Sequence, residues 1–266
     1  MGTIPPPIRS IELRDRLSEL LKQALQARHQ AAPLYLLRSF GHVTGVQTKA
    51  EINRETLIET AEGIFGTVGI KVSGEVVIEE LVAAQLLRAV TLKGGVTRLA
   101  PGDELQGEFF TAMSRIDAYC RALEILSWRQ TRLASPIERA LREAACLFNE
   151  GLFFEVHEVL EAVWLTQEEG IRLLLQGLIQ IAVGFHHLEN NNLRGAVSLL
   201  QEGVEKVKRY GPDRSGVELD QFLGQVEHAW RSIESLGEAA FDRFDRRMIP
   251  QMPFIRNTLS DVRPAG

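Results

Sequence analysis

The second half of the chain alternates apolar, helix-spaced segments with short polar or glycine-containing breaks, and this pattern constrains the fold most. The series begins at Ser135-Pro136-Ile137-Glu138, where a capping serine, a first-turn proline and a glutamate three residues after the serine start a helix. Short breaks favour antiparallel packing of successive helices. The sequence therefore predicts an all-α bundle over 135–266, with a C-terminal extension whose apolar residues pack. The predicted helices cover 136–148, 153–166, 171–188, 193–209 and 217–235.

The first half combines helical segments with one β-prone stretch. Between its last two helices, Thr91–Leu99 has two short β-prone runs around Gly94-Gly95, which predicts a hairpin. A helix that leads into such a hairpin resembles the end of a winged helix-turn-helix domain. The predicted fold is therefore mainly α, with a winged-helix-like α+β domain over 1–134 followed by the all-helical domain over 135–266. The predicted N-terminal helices cover 8–30, 55–64, 74–90 and 104–128.

Composition excludes several classes of protein. The chain has 266 residues, of which 45% are hydrophobic and 24% charged, as is ordinary for a soluble globular protein. Its N-terminus lacks the pattern of a signal peptide, and we expect no bilayer-spanning helix, because no apolar run approaches roughly 20 residues. Cys120 and Cys146 lie among apolar helical residues without a CxxC motif, so both are predicted to be buried and reduced. These features indicate a cytoplasmic protein without a membrane partner.

The charge of the N-terminal half argues against strong DNA binding. Residues 1–135 carry 16 basic and 15 acidic side chains, whereas residues 136–266 carry 14 and 20. The helix that would read a DNA groove contains Glu75, Glu79 and Glu80, with Lys71 and Arg88 only at its ends. These carboxylates would repel a phosphate backbone. DNA is therefore not the expected partner, although a dimer could still gather basic residues on one face; packing or dimerisation is the favoured role.

A polar stripe within Phe148–Trp164 is the strongest candidate site. On a helical wheel, His157 and Glu161 project together among aromatic residues, whereas Glu155 and Glu158 fall at the water-facing rim. A buried Glu161 would have to be paired, hydrogen-bonded or protonated.

The following predicted helix carries a second polar stripe in an otherwise apolar surface, with Gly177 and Gly184 beside it. Two apolar helices that each carry one polar stripe are most simply satisfied by facing each other. We therefore expect one converging cluster between them. The candidate ligand-binding residues are Glu155, His157, Glu158, Glu161, Arg172, Gln176, Gln180 and His187.

The order and spacing of several phrases resemble an uncharacterised prokaryotic family, domain of unknown function number 309. These phrases are 148–164, Leu175-Gln-Gly-Leu-Ile-Gln-Ile-Ala-Val-Gly184, His187 and Gly195-Ala-Val-Ser-Leu-Leu200, and the resemblance covers about 137–209. It implies a small all-helical domain, brings no established reaction, and matches His187 rather than His186. Asn191-Asn192 stands where the family usually has Gly-Asn, and asparagine tolerates the left-handed conformation that glycine would adopt.

Three interpretations of the cluster remain open at this stage. It could be a structural network that sets helix register, a pocket for a small ligand or metal, or an acid–base site built on His157 and Glu161. The zinc-peptidase motif HExxH is absent, since Glu161 occupies the second histidine position, and the second Glu-x-x-His of di-iron bundles is missing. No activated nucleophile or phosphate-binding glycine loop is present either. An enzyme is therefore not favoured, no metal ligands are assigned and no cofactor is identified.

Other classes of function fit the same helices. The helix pairs resemble tetratricopeptide-like hairpins, which predicts an interaction scaffold with a protein partner or a homodimer. A strict 34-residue repeat is absent. A winged-helix regulatory protein is the remaining alternative.

Overall fold

The computed structural model describes residues 4–45, 50–92, 94–128, 135–167, 169–210 and 212–254. It is mainly helical and contains a small three-stranded antiparallel sheet, so the predicted fold class is confirmed at this level. The chain divides into two compact units. The N-terminal unit is Pro5–Glu124, and the helical unit is Ile125–Gly266 together with Met1–Ile4.

In its described residues, the N-terminal unit contains three strands and six helices, and the last of these helices continues beyond Glu124. The strands β1 (Ile52–Asn53), β2 (Leu87–Thr91) and β3 (Thr97–Pro101) lie in the order β1-β3-β2, with both pairs antiparallel. A short 3₁₀ turn, Arg28–Ala31, separates the first two helices. The helices are α1 (Ile11–Gln26), α2 (Ala32–Thr44), α3 (Arg54–Val68), α4 (Gly74–Ala83), α5 (Asp103–Gly107) and α6 (Phe109–Trp128).

The predicted hairpin is confirmed. Strands β2 and β3 pair from Leu87 opposite Pro101 to Thr91 opposite Thr97, and Gly94 and Gly95 take φ values of +108° and +81° in the turn. The predicted helix over 74–90 was too long, because α4 ends at Ala83 and β2 begins four residues later. In so short an apolar run, the sequence pattern of a helix is hard to distinguish from that of a strand. Pairing with β3 makes residues 87–91 a strand.

Three further predictions for this unit needed correction. Helix α1 begins only after Ser10, whose hydroxyl accepts a hydrogen bond from the Leu13 amide at 3.2 Å. The predicted helix over 104–128 is divided at Glu108, whose carboxylate accepts the Arg9 and Ser10 amides at 2.7 and 2.5 Å. Helix α2 was missed; its first six residues are all buried, so it lacks the amphipathic pattern that reveals a surface helix.

The helical unit confirms the five helices predicted for it. Ser135 and Glu138 form the expected capping box at the start of the first helix, through two hydrogen bonds of 3.2 Å. Gly151 and Asn191 adopt left-handed conformations with φ values of +74° and +56° at two of the breaks. The helices are α7 (Pro136–Asn149), α8 (Phe153–Trp164), α9 (Glu169–Glu189), α10 (Leu193–Tyr210), α11 (Pro212–Leu236) and the short α12 (Ala240–Arg243).

Successive helices of this unit pack against each other, α7 on α8, α8 on α9, α9 on α10 and α10 on α11. The C-terminal extension also packs, since Phe244, Ile249 and Met252 are buried. Cys120 and Cys146 are free thiols and both are buried, as predicted. Burial raises the pKa of the Cys120 thiol to about 12, so this sulfur stays protonated at neutral pH.

Helix α9 bears on the expectation that the chain has no bilayer-spanning helix, which stays a prediction. By length and composition alone, Gly170–Glu189 could cross a membrane. Half of its most apolar window is buried inside the unit. The feature therefore does not by itself indicate a membrane.

Candidate functional site

A compact group of imidazole and carboxylate side chains lies on the outer side of α8. Nδ1 of His157 is 3.2 Å from Oε1 of Glu158, and Nε2 of the same ring is 3.2 Å from Oε2 of Glu161. One donor atom from each of the three side chains lies within 4.8 Å of the others. Helical spacing explains the grouping, since residues i and i+4 are neighbours on a helix surface and i+1 flanks them. We call these three residues the His157 cluster.

The cluster is more open to water than the helical wheel suggested. The side chain of Glu161, predicted to be buried, is 50% exposed, whereas His157 and Glu158 are 29% and 26% exposed. Glu155, predicted at the rim, is only 1% exposed. The predicted burial of these two glutamates is therefore wrong in both cases. Helices α7 and α9 pack on α8 and bury most of its first turn, whereas the side of α8 that carries His157 faces solvent.

The polar stripe on α9 does not close over the His157 cluster as one network. The Arg172 guanidinium lies 5.0 Å from the centre of the Trp164 ring, a cation–π contact, rather than beside a carboxylate of the described chain. The Gln180 amide donates to Oε2 of Glu202 on α10 at 2.8 Å, and Gln176 is half-buried on the same side of α9. These contacts divide the predicted stripe between the α8 and α10 sides of the helix.

The two neighbouring histidines of α9 have different surroundings. His187 lies at the turn into α10, where its Nδ1 is 3.1 Å from the Asn192 amide nitrogen and its ring packs so closely on Gly195 that a Cβ there would be 2.9 Å away. Burial and the adjacent His186 lower the pKa of His187, which favours the neutral form of its ring.

His186, not singled out from the sequence, is the histidine of α9 that approaches α8. Its ring centre lies 5.6 Å from that of Phe154, which in turn is 6.2 Å from the His157 ring. Its Nδ1 is 3.8 Å from the buried carboxylate of Glu189. The sequence places His186 about 100° around the helix from His187. That this direction faces α8 follows only from the packing of α9 on α8.

Comparison with known proteins shows which family the segment around this site is similar to. Residues 141–199 match the sequence model of the family described as Domain of unknown function (DUF309). The match confirms the resemblance noted in the sequence for this segment of the helical unit, and the matched segment contains the whole His157 cluster.

One relative is an uncharacterized protein of Aquifex aeolicus (strain VF5). It is 27% identical over 88 residues, which are 33% of this chain and 26% of that protein. The match thus spans about a quarter of the relative's length. No solved structure matches the chain.

Proposed function

We propose that the helical unit is a binding module for a divalent transition-metal ion, held by His157, Glu158 and Glu161. The observation that carries the proposal is the approach of one imidazole nitrogen and two carboxylate oxygens to within 4.8 Å of one another on a single helix. Imidazole with carboxylate is a ligand set suited to zinc, nickel and copper among the divalent ions.

The spacing of the donor atoms suits such an ion. Ligands about 2.0 Å from a tetrahedral zinc ion are separated from each other by roughly 3.3 Å. The 3.2 Å between Nε2 of His157 and Oε2 of Glu161 is close to this value, and an oxygen of Glu158 completes a set of three donor atoms that lie within 4.8 Å of one another. Three protein ligands also leave a coordination position for water or a small ligand.

We expect the untagged full-length chain to bind one Zn²⁺ or Co²⁺ ion, and His157→Gln to weaken this binding at least tenfold, because the variant removes the only nitrogen donor of the cluster. Isothermal titration measures the affinity, and the visible spectrum of bound Co²⁺ reports the geometry. The matched control is His228→Gln, which removes an exposed histidine of α11 and should change nothing.

Two results would contradict the proposal. One is a wild-type chain that binds no ion at stoichiometric amounts, which would leave the His157 cluster as a set of ordinary ion pairs. The other is equal affinity in wild type and His157→Gln.

A second proposal concerns the N-terminal unit, which we infer to be a winged helix that binds protein rather than DNA. The strand order β1-β3-β2, with α3 and α4 between β1 and the β2–β3 hairpin, supports this inference. Exposed Glu75, Glu79 and Glu80 on α4 disfavour a nucleic-acid partner. The guanidinium of Arg54 lies 2.7 Å from Glu75 and 3.8 Å from Glu79, but its single positive charge offsets only part of the charge of the three carboxylates.

We therefore expect no salt-sensitive, sub-micromolar binding of the full chain to a random DNA duplex in fluorescence anisotropy. Replacing the three α4 glutamates by lysine should create weak binding that falls with added salt, because the reversed charges can then release counterions from the phosphates. Tight binding by the wild-type chain would overturn the inference.

A further inference from the structure

A cavity of about 470 Å³ lies where the C-terminal extension packs on the turn between α7 and α8. This volume is within the roughly 300–1,000 Å³ typical of small-molecule sites. All of its lining residues belong to the helical unit. Part of the lining comes from the segment that matches the known family, and part from residues 246–251, which lie outside that match. The cavity is therefore a feature of this chain beyond the His157 cluster.

The floor of the cavity is apolar and firmly packed. It contains the rings of Phe148 and Phe153, which are buried and meet edge to face with centres 5.1 Å apart, and the buried Ile249. Ile4 closes one side and lies directly against Gly151, where an added Cβ would come within 2.8 Å of it. Such a surface favours a hydrocarbon or aromatic group over water.

The wall formed by the extension is fixed by hydrogen bonds to its backbone. Asn149 accepts the Met252 amide at 2.7 Å and donates to the Met252 carbonyl at 3.1 Å. Because both bonds come from one side chain at the end of α7, they hold residues 249–252 across the floor. These hydrogen bonds therefore fix the position of the extension relative to the end of α7.

The charge at the cavity mouth is positive. Arg246 and Arg247 line the cavity and are exposed, so they mark its solvent end. Arg247 pairs with Asp245 through Nε and Nη2 at 2.9 to 3.2 Å, and because both side chains are open to water, an incoming carboxylate can compete for this guanidinium. Within the described residues, Arg246 has no acidic partner. A guanidinium binds a carboxylate through two parallel hydrogen bonds.

We propose that this cavity binds an amphipathic carboxylate, with its apolar body on the phenylalanine floor and its anionic head at the two arginines. The ligand class follows from the combination of apolar floor and cationic mouth, since neither part alone would select it. The site is separate from the proposed metal centre and does not depend on it.

Isothermal titration of the full-length chain with decanoate, and in parallel with decanol, tests the proposal. We expect decanoate to bind at least tenfold more tightly than decanol. The double variant Arg246→Gln/Arg247→Gln should lose this preference and leave decanol binding unchanged. Arg194→Gln/Arg209→Gln is the matched control, because it removes two exposed arginines of α10 outside the cavity and should bind decanoate as wild type does.

A blocking variant makes the test independent of charge. Gln251→Trp places a large ring at an exposed lining position and should weaken both ligands, while unchanged circular dichroism shows that the fold is kept. The proposal is overturned if decanoate fails to bind the wild-type chain at millimolar concentration. It is equally overturned if affinity is the same in wild type, the Arg246/Arg247 variant and Gln251→Trp.

Discussion

Replacing Phe148 by alanine is expected to lower the free energy of unfolding of the helical unit by about 3–5 kcal/mol. The Phe148 ring meets three other rings edge to face, Phe153 at 5.1 Å, Phe222 at 5.6 Å and Phe185 at 5.9 Å between ring centres. These rings come from α7, α8, α11 and α9. Truncation therefore removes contacts with three neighbouring helices and leaves a void that a close-packed core fills only in part.

Urea unfolding followed by tryptophan fluorescence isolates this effect, because the three tryptophans of the chain, Trp128, Trp164 and Trp230, all lie in the helical unit. The control is Phe110→Ala, whose ring is 58% exposed and belongs to the N-terminal unit, and it should change this transition by less than about 0.5 kcal/mol. A loss below about 1 kcal/mol for Phe148→Ala would show that its ring is not the centre of the core.

Gly203→Ala is expected to destabilise the same unit by about 2 kcal/mol or more, although alanine is the better helix former. Helices α9 and α10 cross with their backbones in contact at this point. A Cβ on Gly203 would lie 2.7 Å from the Gly177 carbonyl oxygen and 2.9 Å from the Ile181 amide nitrogen. Backbone atoms cannot rotate aside, so the helices must separate, and overpacking of this kind typically costs about 1–3 kcal/mol and sometimes more.

Gly224→Ala supplies the opposite expectation on α11. Nothing lies within 4 Å of a Cβ built there, so the helix propensity of alanine should stabilise the unit by about 0.5–1 kcal/mol. The same fluorescence transition measures both variants, and the sign of the difference is the test. Stabilisation by Gly203→Ala would mean that α9 and α10 are farther apart than the structure has them.

Local chemistry was sufficient to predict the helical unit. The capping box at Ser135, the left-handed residues Gly151 and Asn191, and the apolar periodicity between them depend on interactions within a few residues of sequence. The predicted helices therefore match the observed ones to within a few residues at most ends. The same holds for the β2–β3 hairpin, whose turn requires the two glycines at positive φ.

Predictions that depended on distant partners were less accurate. The end of α4 depends on pairing of β2 with β3, and the break at Glu108 depends on the Arg9 and Ser10 amides nearly a hundred residues away. Neither partner lies within the few residues of sequence from which helical or strand periodicity is read.

The candidate site shows the same division. Helical spacing alone brings His157, Glu158 and Glu161 together, because neighbours on one helix turn are set by its geometry. Which side of that helix meets water depends on where α7 and α9 pack, and so the burial of Glu155 and the approach of His186 could not be obtained from periodicity. A wheel gives the angles between residues of one helix, whereas the direction of the core is a property of the neighbours that tertiary packing supplies.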